Sequence, residues 1–88
     1  MSPQFREAVN WAIASEVRRA RDAQEVTEDQ LVEWSGIDAG NMAEGLDGID
    51  GFTVTDLVAI ESALNLPVGY LIEQALNIVR TITPAGVA

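Results

Sequence analysis

The sequence predicts an all-α domain of five helices. Apolar residues recur three or four apart along most of the chain, and alternation of period two never lasts more than a few residues. Capping residues, Gly and Pro interrupt the pattern at short intervals, as helix starts and stops do. The chain has 88 residues, the size of one small domain. Its apolar content of 48% suits a single compact core and is too high for a disordered chain.

Ser2-Pro3 opens the first helix, a capping hydroxyl followed by Pro where its missing N–H costs nothing. Phe5, Val9, Ile13, Val17 and Ala20 then form one apolar stripe on a helix ending near Gln24. Trp11 lies off the stripe and is expected to pack against the terminal helix. Thr27-Glu28-Asp29-Gln30 is a capping box that starts a second helix of about eight residues, burying Leu31 and Val32. Ser35-Gly36 ends it, because Gly accepts the left-handed conformation of a helix terminus. Ile37 then packs inward, and Asp38 caps a third short helix running through Met42 toward Leu46. Residues 47–52 hold two Gly and two Asp and read as a loop. Thr53-Val54-Thr55-Asp56 opens a fourth helix with Leu57, Ile60 and Leu64 inside. Asn65-Leu66-Pro67 interrupts it, since a residue before Pro avoids the helical region. A fifth helix is expected from near Val68, with apolar positions at Leu71, Ile72, Ala75, Leu76 and Val79. Residues 1–82 make the domain and 83–88 a flexible tail.

Charge is distributed unevenly. Ten acidic residues and no Lys or Arg lie between Glu25 and Glu61. The first 24 residues sum to +1 and the last 27 to zero, so the net charge of −9 arises in the central window. Cys, His and Lys are absent, which removes disulfides, thiolate metal sites, the commonest general base and Lys chemistry. No carboxylate pair sits in a recognisable catalytic setting. The sequence therefore reads as a non-enzyme without cofactor or metal. The Asp47–Gly51 stretch lacks the ligand spacing of an EF-hand. No run approaches the roughly 18 apolar residues of a membrane span, and residues 1–9 lack a signal-peptide pattern. A cytoplasmic protein is expected. Arg without Lys, with much Ala and Val, hints at a GC-rich bacterial or phage genome.

A Thr-capped helix, Leu four residues on, a Ser-Gly turn, Ile, a short helix, a loop, then a helix and Leu-Pro follow in order. This series resembles the Cro/C1 helix-turn-helix family, the phage-repressor or lambda-repressor-like domains. The match runs without a gap over about residues 13–71. It rests on Val26-Thr27, Leu31, Ser35-Gly36-Ile37, Met42, Gly48, Thr53, Leu57, Ile60, Ala63-Leu64 and Leu66-Pro67. Arg21 matches the Arg that the family carries near the end of its first helix. The resemblance implies a compact five-helix fold containing a helix-turn-helix, with a C-terminal helix extended beyond the family core. It also implies transcription regulation through operator DNA. Two positions depart from the family. Leu46 stands where an acid usually pairs with the first-helix Arg, leaving Glu44 and Asp47 as candidate partners of Arg21. Gly45 stands where an apolar side chain is usual, so the third helix is expected to be short or distorted, with Leu46 replacing that side chain by a one-residue shift.

By family position, the residues that meet DNA are Glu28, Asp38, Ala39, Gly40, Asn41 and Glu44. Asn41 can read adenine through its amide, whereas Asp38 and Glu44 aim acid at the duplex. Arg18 and Arg19 are candidate phosphate contacts, or simply a solvated helix face. Trp34, Leu76, Ile78, Val79 and Ile82 are candidates for a dimer or partner interface. The resemblance implies a homodimer through the C-terminal helix; folding of that helix back over the first is the alternative. Two functions follow. One is a Cro/C1-type regulator acting as a dimer on operator DNA. The other is an acidic helix-turn-helix that binds a regulatory protein instead, as an antirepressor, a DNA-mimic decoy or a heterodimer partner.

Overall fold

The computed structural model describes residues 3–49 and 51–82. Its regular structure is five α-helices: α1 (Pro3–Ala23), α2 (Glu28–Ser35), α3 (Ala39–Leu46), α4 (Val54–Ala63) and α5 (Tyr70–Ile82). The expected Ser2 cap and the expected tail at 83–88 lie outside the described residues.

Local chemistry sets most of the boundaries. Thr27 and Thr53 both form complete capping boxes, with Gln30 and Asp56 returning the bond to the cap amide. α1 and α4 end in the same way. Val26 N donates to Arg21 O and Leu66 N to Glu61 O, with Glu25 and Asn65 in the left-handed region between. These six-to-one bonds are Schellman closures, and the apolar residue after each turn, Val26 or Leu66, packs inward. Gln24 Nε2 donates to Leu64 O at 2.7 Å, tying the two helix ends together.

The core joins all five helices. Val17, Leu31, Met42, Ile60, Leu64 and Leu71 are its most deeply buried apolar side chains. α1 packs chiefly on α5, and α2 on α4. Ile13 and Val17 lie in the core with Val9 and Ala20 at its edge, whereas Phe5 is more than a third exposed. Val32 is partly buried against the core.

Several expectations are corrected by tertiary packing. α3 is short, at eight residues, as expected, but Gly45 lies within it rather than breaking it. The ring of Phe52 lies directly over Gly45, in the space that a side chain there would fill. Leu46 is buried as well, so α3 keeps its apolar contact from two directions. α5 begins at Tyr70, two residues later than Val68, because Glu61 caps it from α4. The Glu61 carboxylate is buried and accepts from Gly69 N at 3.1 Å and from Leu71 N at 2.9 Å. Trp11 is 56% exposed. It lines a cleft of about 190 Å³ with Ala14, Ser15, Arg18, Leu46 and Asp47, beside the end of α3. Gly48, at φ +73°, lies against the Trp11 backbone, where a Cβ would be 3.6 Å from the Trp11 Cα.

Candidate nucleic-acid interface

The α2–turn–α3 unit is assembled by three consecutive residues. Gly36 takes φ 75° and ψ 8°, and its N–H donates to Val32 O at 3.0 Å. This left-handed residue ends α2 and redirects the chain. Ile37 is buried and anchors the turn to the core. Asp38 then caps α3, its Oδ2 accepting from Gly40 N at 2.9 Å and from Asn41 N at 3.3 Å. α3 buries Met42, Gly45 and Leu46. At 100° per residue, Gly40 and Glu44 fall on the opposite side of the helix, and Asn41, exposed, lies at the flank about 40° from Gly45.

All six residues expected to meet DNA are solvent-exposed: Glu28, Asp38, Ala39, Gly40, Asn41 and Glu44. Five of them come from a single short stretch, and Glu28 comes from the first turn of α2. The face can offer the Asn41 amide as donor and acceptor and the Glu44 carboxylate as acceptor. Asp38 is already engaged by two helix amides, which offset part of its charge.

The cations near this unit are held by acids of the chain itself. Arg18 Nη2 lies 3.3 Å from Asp47 Oδ1, and Arg19 Nη1 lies 3.6 Å from Glu16 Oε1. Arg21 pairs with Asp22 at 3.5 Å and reaches Glu28 at 4.0 Å. Glu44 and Asp47, the partners expected for Arg21, are thus replaced by Asp22 and Glu28. Asp47 is taken by Arg18, which lies nearer the end of α3. Arg18 and Arg19 remain half or more exposed; the Arg18–Asp47 pair is exposed on both sides and weak enough to exchange partners, whereas Glu16 is buried and loss of Arg19 would leave its charge uncompensated. Arg21 is mostly covered, and its Nε has no hydrogen-bond partner among the described residues.

The expected interface residues separate into two groups. Trp34 is 52% exposed and Leu76 is 38% exposed. Val79 is buried in the core, and Ile78 is partly buried against it. Ile72 on α5 and Val68 in the turn before it are exposed instead, and the expectation missed them as interface residues. Counting apolar residues along the helix did not separate these faces; placing Leu71, Ala75 and Val79 against α1 does. The expected contact through Ile82 lies at a side chain outside the described ones. No helix among the described residues is long and apolar enough to cross a membrane. Comparison with family models, with curated proteins and with solved structures finds no match to this chain.

Proposed function

We propose that this chain is a helix-turn-helix transcription regulator of the Cro/C1 type, acting as a dimer on operator DNA. One observation carries the reading. A left-handed Gly36, a buried Ile37 and a capping Asp38 hold α3 so that Gly40, Asn41 and Glu44 face solvent while Met42 and Leu46 face the core. A short helix held in this way is the right size for a major groove. On this reading Asn41 contacts adenine, and Glu44 accepts from the amino group of cytosine. Arg18 supplies a phosphate contact by leaving the exposed Asp47, and Arg19 supplies one through the guanidinium donors that Glu16 does not engage.

The charge map supports a second reading, in which the same face binds a protein. The first turn of α2 carries Glu28 and Asp29, and α2 and α3 contain no Lys or Arg. Phosphate contacts normally supply much of the affinity for a duplex. An acidic face suits a cationic protein surface, as in an antirepressor, a decoy or a heterodimer partner.

An anisotropy titration with generic duplex DNA at about 50 mM salt separates the two. Salt-sensitive binding at micromolar concentration supports the DNA reading. Absence of binding there contradicts it and leaves the protein-binding reading.

A further inference from the structure

We propose that the cleft between α1 and the end of α3 takes an arginine side chain of a partner protein, stacked on Trp11 and bonded to Asp47. It does so whichever partner the α2–α3 face binds.

A single exposed Trp is ordinary. Trp11, 56% exposed, stands in a shaped setting. Trp11, Ser15 and Arg18 are four and seven residues apart and so form one row along α1. Leu46 and Asp47, at the end of α3, stand across from this row. Ala14 and Leu46 are buried and give the cleft an apolar lining. Ser15, Arg18 and Asp47 bring polar groups to it. Its volume of about 190 Å³ is below the roughly 300 Å³ where sites for drug-sized ligands begin. It suits the end of one side chain.

Charge decides which side chain. The molecule carries −9, which draws cations and repels anions. Asp47 is the C-cap of α3, where the helix dipole is negative, and the last turn of α3 has no basic residue. Its carboxylate is used on one oxygen alone: Oδ1 meets Arg18 Nη2 at 3.3 Å. Among the described residues Oδ2 has no partner. Trp is the best aromatic partner for a cation.

Shape then favours guanidinium over ammonium. A guanidinium is planar, stacks on an indole and bonds a carboxylate through two donors at once. Arg18 already shows that such a group reaches Asp47. Its own hold is weak, because both partners are half or more exposed. An incoming arginine takes Oδ2, or takes both oxygens as Arg18 swings out to solvent.

The two Trp residues provide the test. Trp34 is 52% exposed and shares α2 with Glu28, Asp29 and Glu33, so it feels the acidic field without the cleft. The indole N–H signals of labelled protein are followed as acetyl-Ala-Arg-Ala-amide is added at constant salt, to about 50 mM. The Trp11 signal should move along a saturating curve with a Kd of about 1–10 mM, and Trp34 should move far less. Asp47→Asn should weaken binding about fivefold, as loss of one exposed ion pair does. The lysine peptide should bind about threefold more weakly. Arg18→Gln removes the competitor and should tighten binding about threefold, a gain that misfolding cannot produce. Arg6→Gln makes the same change in net charge away from the cleft and should leave the Kd as it is. The proposal is overturned by a Trp11 signal that stays put or never saturates, or by a Trp34 signal that moves as far. An Asp47→Asn variant or a lysine peptide that binds as tightly also overturns it, as does an Arg18→Gln variant no tighter than Arg6→Gln. DNA is absent throughout, so failure here leaves the DNA reading standing.

Discussion

A side chain on Gly45 would collide with ring carbons of Phe52. Gly45→Ala therefore tests two opposed effects. Ala favours a helix over Gly by about 1 kcal/mol. Overpacking costs about 1–3 kcal/mol, and here the partly buried ring of Phe52 would have to shift. Urea denaturation should show net destabilisation. Phe52→Ala alone should also destabilise, by about 3 kcal/mol, because it uncovers Gly45. The double variant should lose less than the sum of the two, since the first change makes room for the second. Glu61 is the other residue whose role is set by distant neighbours. Its two carboxylate oxygens serve two amides at the start of α5. Glu61→Ala leaves the buried Leu71 amide and the part-buried Gly69 amide without that acceptor and should cost about 1–3 kcal/mol. Hydrogen exchange should quicken first at Gly69 and Leu71, ahead of the rest of α5.

At the scale of elements, Asp38 links the stability of α3 to the charge it presents. Asp38→Asn keeps an equally good cap, so the melting temperature should hold. Asp38→Ala should lose about 1 kcal/mol. Both remove one negative charge from the face, so duplex affinity should rise several-fold in each. A thermal melt paired with an anisotropy titration checks the two effects separately. The caps were the most legible part of the chain. Thr27 with Gln30, Thr53 with Asp56, Gly36 and Asp38 act within three or four residues, so sequence spacing suffices to find them. Glu61 was not legible, because it caps a helix eight to ten residues away and looks like any surface acid. Nor was Phe52, whose partner is defined by an absent side chain. Glu25 in the left-handed region, at φ 56°, has no sequence signal, since Gly or Asn is the usual residue there. Candidate site residues on α3 were found by position in a motif. The availability of α5 residues was not, because burial of Val79 but not Leu76 depends on where α1 lies.

At the scale of the whole molecule, the charge of −9 opposes approach to a polyanion, whereas the proposed function has the fold present a helix to one. On the proposed reading, two Arg per copy, Arg18 and Arg19, answer phosphates. Four such contacts in a dimer give a salt dependence of about −3.6 in log affinity against log salt. A slope much steeper than this would require cations that the face does not have. The central claim is that α3 reads DNA. The direct test is residue-resolved: amide chemical shifts of the labelled protein, titrated with duplex DNA from upstream of its own gene. The predicted result is that the largest changes fall at Glu28 and at Ala39, Gly40, Asn41 and Glu44. An unchanged spectrum, or changes that spare α3, would contradict the claim.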